Sequence, residues 1–168
     1  MIGTYQQPYE IGAYVKEGML CEDEWRLAYP LDESRNWSAE NDKVILPLKD
    51  WLSSYHNSMV GPDRLGLLLT VDDDISDLEL PLDDIPVVAI WFNEFSDGRG
   101  FSLATTIRER FQYQGELRAV GYYMLDQLHY FKRCGINAFC LRREQNADMA
   151  INVWNDFAEV FKVQRVRQ

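Results

Sequence analysis

A chain of 168 residues with 46% apolar and 13% aromatic side chains can bury one sizeable core and is too apolar to remain disordered. Its formal charge of −10 is divided unevenly: 6 Lys/Arg against 19 Asp/Glu over residues 1–96, then 11 against 8 over residues 97–168, so the basic footprint of a nucleic-acid binder is missing. No apolar run nears the ~20 residues of a membrane span and no basic-then-apolar leader opens the chain, so a cytoplasmic protein away from the membrane is expected.

The chain reads as a single α/β domain in three stretches. Residues 1–42 form an N-terminal arm with scattered Gly, Pro and Tyr, where only Trp25 to Ala28 suggests a short strand. Such an arm is expected to pack across the core or across a second subunit. Residues 43–84 hold the first strands: Lys43 to Pro47, then a short helix from Leu48 to His56 with Leu48, Trp51, Leu52 and Tyr55 on one face, a turn at Gly61-Pro62-Asp63, and an apolar strand from Leu65 to Val71. An acidic connection follows. Seven of the thirteen residues from 72 to 84 are Asp or Glu and none is basic, but the ordered alternation and central Gly of a calcium loop are absent. A solvated loop is expected there, able to show a negative face to a basic partner.

Residues 85–168 alternate strand and helix. Pro86 to Phe92 is a buried strand, and Leu103, Ile107 and Phe111 recur every four residues, which predicts a helix starting at Leu103 with Ser102 as its N-cap. Glu116 to Gly121 reads as a strand whose alternation puts Glu116, Arg118 and Val120 on one face. A helix over about 124–134 ends at Gly135 as a C-cap, Ala138 to Leu141 is a strand, and Asn146 caps a last helix whose apolar residues keep a helical rhythm for four turns. Short connections force parallel strands joined by crossovers, which predicts a mainly parallel sheet, either a half-barrel or an open sheet covered on both faces; a full eight-unit barrel needs ~250 residues. A half-barrel leaves a flank open, so a homodimer is expected.

Ligands in such folds gather at the carboxyl ends of the strands. The loop Phe95 to Ser102 belongs there, and its Gly98 and Gly100 amides, Arg99 guanidinium and Ser102 suit a small anion. Arg99 could equally be tied up by Asp97. Arg118, inside a strand, must meet a carboxylate such as Glu116 or Asp97, or a ligand, since an unpaired charge there is costly. Asp97 and Asp126 are the candidate groups to orient the arginines or move a proton. Three cysteines without C-x-x-C spacing and two isolated histidines indicate no disulfide framework and no metal site. No phosphate loop, G-x-G-x-x-G or G-x-S-x-G occurs, so the cofactor is left unassigned.

Several of these residues form motifs. Phe92 with Phe95 and Asp97 to Ser102, then Gly115 to Gly121, Asp126-Gln127-Leu128, Arg133-Cys134-Gly135 and Ala138-Phe139 resemble, in the right order, a family of bacterial proteins encoded beside assimilatory sulfite reductase genes and labelled oxidoreductases of sulfite reduction. The likeness spans about 85–141, with a looser match at Ile45 to Leu48. The chain departs from the family pattern at Tyr122, where an acid is expected, and at Ile136 and Asn137, where an aromatic and an Asp are expected. The resemblance implies a role in sulfur assimilation, with sulfite reductase as a partner and a small oxyanion as ligand. A non-catalytic accessory protein docking on the reductase, and an enzyme acting on a phosphorylated small molecule, are the alternative expectations.

Overall fold

The computed structural model describes residues 9–28, 40–77 and 79–166, with side chains described as far as residue 156. Eight strands form one sheet: β1 (Ile11–Lys16), β2 (Met19–Cys21), β3 (Trp25–Leu27), β4 (Lys43–Pro47), β5 (Leu65–Thr70), β6 (Val87–Phe92), β7 (Glu116–Gly121) and β8 (Ala138–Arg142). Four α-helices accompany them: α1 (Leu48–His56), α2 (Arg99–Glu109), α3 (Leu128–Cys134) and α4 (Ala147–Val166). The strand order is β2-β1-β8-β7-β6-β5-β4-β3. From β3 to β8 every neighbour is the next strand in sequence and every pairing is parallel. β1 runs antiparallel to β8, and β2 folds back on β1 as a hairpin.

This order forces curvature. Laid flat, eight strands spaced ~4.8 Å apart would separate β2 from β3 by about 34 Å. Yet Cys21 and Trp25 are joined by three residues, a tether of at most about 14 Å. The sheet therefore curls, and the half-barrel is the form that the fold takes. Side-chain contacts across the concave side confirm it: Asp23, in the tether, reaches Arg118 in the middle of the sheet, and Tyr14 on β1 donates to Glu116 on β7 at 2.8 Å.

The helices lie on the convex side. Trp51 of α1, Ala104 and Ile107 of α2, Leu128 and Phe131 of α3, and Ala150 and Trp154 of α4 all join the core that contains Leu67, Ile90, Leu117 and Phe139. None of them joins the second core on the concave side, which holds Ile45, Leu68, Ala89, Trp91, Val120 and Cys140. Consecutive parallel strands with crossovers of one hand place every helix on the same face. A strand such as β6, wholly buried along Val87 to Phe92, reads as a continuous apolar run because both of its faces are covered.

Three details differ from the expectations. Ile11–Lys16 and Met19–Cys21 form a hairpin at the sheet edge, where the sequence shows only an arm; its turn uses Glu17 and Gly18 at positive φ. The helix expected from Leu103 begins at Arg99, with Gly98 as N-cap, so Ser102 lies inside the first turns and does not cap it. Its carbonyl accepts from Thr106 Oγ1 instead, at 3.0 Å. The reason is local: Asp97 Oδ1 accepts the Arg99 N–H at 3.1 Å and turns the chain into the helix one turn early. The helix expected over 124–134 opens with a 3₁₀ turn at Leu125–Gln127 and closes on Gly135 at φ 93.

Candidate functional site

β6 ends at Phe92, and the chain passes through Asn93 to Asp97 before α2 begins, so Arg99 stands on the carboxyl rim of the sheet. Its guanidinium is occupied. Nε and Nη2 donate to the Asp97 carboxylate at 3.0 and 2.8 Å, and Nη1 donates to Asp72 Oδ1 at 3.0 Å. These hydrogen bonds hold the Asp97 carboxyl below the usual carboxylate range. Arg99 and Asp72 remain largely exposed, at 61% and 70% of their side-chain surface, whereas Asp97 is at 20%. Asp97 is thus the fixed member and Asp72 the loosely held one.

Asp72 opens the acidic connection between β5 and β6, and that connection is tied down at several points. Asp73 accepts from the Thr70 backbone at 2.6 Å and from its hydroxyl at 3.0 Å, and Arg110 at the far end of α2 donates to the Ser76 carbonyl at 3.1 Å. Two arginines of one helix therefore face the most acidic stretch of the chain.

The two glycines of the loop have different physical reasons. Gly98 has ordinary helical geometry and open space where a side chain would go. Gly100 is buried, and a Cβ there would run into the Phe92 ring, so it allows α2 to lie close on β6. Phe92 is packed against Phe101, Tyr123 and Phe131 as well, at ring separations of 5.1–6.3 Å.

Arg118 does not join this loop. It lies three residues before the end of β7, about 10 Å below the rim at strand spacing, and points to the concave side. Its Nε donates to Glu116 Oε1 and its Nη1 to Asp23 Oδ2, both at 2.8 Å, and the guanidinium lies 4.1 Å from the centre of the Tyr14 ring. Glu116 also meets Lys16 Nζ at 3.1 Å. Burial raises the Glu116 pKa, but the Arg118 charge and the hydrogen bonds from Tyr14, Arg118 and Lys16 outweigh it, and the net shift is down. Cys140, beside Arg118 at 3.8 Å, has its thiol pushed up to about 12, chiefly by burial. Glu116 was legible as a partner from its place two residues along the same face. Asp23 was not, because it comes from the distant tether.

Asp126 is exposed in the 3₁₀ turn before α3 and makes no hydrogen bond or ion pair among the described residues. Its neighbour Gln127 has the structural role there: Nε2 donates to the Phe95 carbonyl at 2.7 Å and Oε1 accepts the Met124 N–H at 2.9 Å, which clips the β6–α2 loop to the β7–α3 loop. Further round the rim, Tyr9, Trp91 and Tyr122 meet edge to face at 4.9–6.0 Å, with the Arg142 guanidinium 5.5 Å from the Tyr122 ring centre. Tyr122, which replaces the acid of the expected motif, is therefore part of an aromatic cluster on the concave side. Among the described residues no group of three His, Cys, Asp or Glu side chains is placed to hold a metal ion, and no helix is long and apolar enough to cross a membrane.

A curled (βα) half-barrel with an arginine–carboxylate cluster on its carboxyl rim is the class of protein that these observations define. The chain belongs to a bacterial protein family of unknown function, DUF934, whose model matches residues 66–168, from β5 through the last helix. No curated protein and no solved structure matches it.

Proposed function

We propose that this protein serves assimilatory sulfite reduction in the cytoplasm by binding a small oxyanion at the 97–102 loop, with Arg99 as the contacting group. The contact between Arg99 Nη1 and the exposed Asp72 carboxylate, at 3.0 Å, carries the reading. A carboxylate oxygen there occupies the place that an oxygen of sulfite would take, while Asp97 keeps the guanidinium aimed. Asp97 acts as an orienting group, since a carboxyl held ionised by Arg99 is a poor proton carrier near neutral pH. The sulfur side of the reading rests on the resemblance of the rim motifs alone.

Calorimetric titration with sulfite, sulfate and phosphate tests it. Removing the competing carboxylate in Asp72→Asn is expected to tighten anion binding, and Arg99→Ala to abolish it. Preference for phosphate over both sulfur oxyanions would instead favour an enzyme of phosphorylated small molecules. Absence of heat with every anion in both the wild type and Asp72→Asn would sink the binding reading. A flavin or haem band in purified protein tests the oxidoreductase part.

The exposure of Asp72 and its neighbours supports a second reading, an accessory protein that docks on sulfite reductase through the acidic connection. Co-purification that survives Arg99→Ala but is lost when Asp72, Asp73 and Asp74 are changed to Asn is its expected result.

A further inference from the structure

The 3₁₀ turn at Leu125–Gln127 runs straight into α3, giving one helical stretch from 125 to 134. Asp126, Tyr130 and Arg133 follow at spacings of four and three, which sets them along one face. All three are exposed, Tyr130 at 55%, and neither Asp126 nor Arg133 has a hydrogen bond or ion pair among the described residues. Beside this face lies a groove of about 410 Å³ between α2 and α3, lined by Phe101, Thr105, Gln127, Tyr130, Arg133 and Cys134. The apolar surface continues past Gln127 to Phe95 and Met124, exposed at 58% and 48%.

The charge pattern along this stretch is complementary to itself. An acid at position 126 and a base at 133 lie symmetrically about a point next to Tyr130. A second copy of the stretch, laid antiparallel, brings each Asp126 opposite the other copy's Arg133 and both tyrosines to the axis. We propose that this face is a homodimer interface, built on a two-fold axis beside Tyr130, with each copy's Tyr130 seated against the other's α2–α3 groove. The two cross pairs satisfy charges that have no partner among the described residues of one chain, and the antiparallel helices align their dipoles favourably. A two-fold contact uses the same patch on both copies and closes on itself, so it stops at two chains. This inference is independent of any anion at Arg99, which opens α2 at the rim and does not line the groove.

Sedimentation of the full chain over a hundredfold dilution tests the proposal, with the Asp126→Arg, Arg133→Asp and doubly reversed variants beside the wild type. The wild type is expected to show a monomer–dimer equilibrium. Each single reversal sets like charges opposite each other twice and should weaken association by at least about tenfold, and the double reversal should restore it. Both residues are exposed, so an unchanged circular dichroism melt checks that folding is intact. As a second readout, in a Cys21→Ser background that removes the exposed native thiol, Tyr130→Cys should give a disulfide-linked dimer on mild oxidation, while Met149→Cys, exposed on α4, should not. A wild type that stays monomeric throughout would overturn the interface. So would a dimer that is indifferent to both single reversals.

Discussion

Arg118 and Asp23 are 95 residues apart in sequence and 2.8 Å apart in space. The pair ties the middle of the sheet to the tether between its two edges, and so holds the curl. Arg118 keeps only 2% of its side-chain surface exposed, against 17% for Asp23. Loss of Asp23 would leave the guanidinium with a single carboxylate, and removing one partner from a buried pair costs about 3–5 kcal/mol. Because Asp23 keeps some contact with water, Asp23→Ala is expected at the lower end, about 3 kcal/mol, and Asp23→Asn, which still accepts a hydrogen bond, at less. The urea midpoint of each variant measures this.

Glu116 links the same cluster to pH. Its pKa in the folded protein is depressed below the ordinary value of 4.5, so the unfolded chain takes up the proton first as pH falls. The stability that it contributes is fully present above about pH 4.5 and is lost as pH drops through the folded value. Urea midpoints measured from pH 7 downward should fall below that point, and Glu116→Gln should flatten the fall while lowering stability at neutral pH. An unchanged pH profile in Glu116→Gln would show that other carboxylates carry the acid transition.

The two glycines of the rim loop should behave differently. Gly98→Ala meets open space in helical geometry and is expected to be neutral or to stabilise by up to about 1 kcal/mol, through the unfolded chain. Gly100→Ala drives a methyl group into Phe92 and should cost about 1–3 kcal/mol as an overpacked contact. Thermal melts of the two variants make the comparison. Equal effects would mean that α2 does not press on β6 as described.

Thiol chemistry separates the three cysteines. Cys21 is exposed on the edge strand, while burial pushes Cys134 up to about 11 and Cys140 to about 12. A chromogenic disulfide reagent at pH 8 should therefore react at once with one thiol of the native protein, and with all three after denaturation. Cys21→Ser should abolish the fast phase.

Much of the architecture was legible locally. The last helix, β6 and the Glu116–Arg118–Val120 face were set by periodicity, since a buried face repeats every 3.6 residues in a helix and every two in a strand. The expected pairing of Arg118 with Glu116 follows from the same alternation. Arg99 was legible as a rim arginine, with Asp97 as its neighbour in the chain. Its second carboxylate, Asp72, lies after the neighbouring strand β5 and 27 residues away, beyond any local pattern.

Local order, with its two periods and its Gly and Asp turn chemistry, determined from sequence alone that this chain alternates strand and helix and places a glycine-flanked arginine after a buried strand. Only the tertiary structure decided that Ile11–Cys21 closes the sheet as a hairpin, that Asp23 clasps Arg118, and that Arg118 and Arg99 belong to different faces. The reason is physical: a strand at a sheet edge and an ion pair across a curled sheet gain their free energy from partners distant along the chain. No short window of residues contains both members of such a contact.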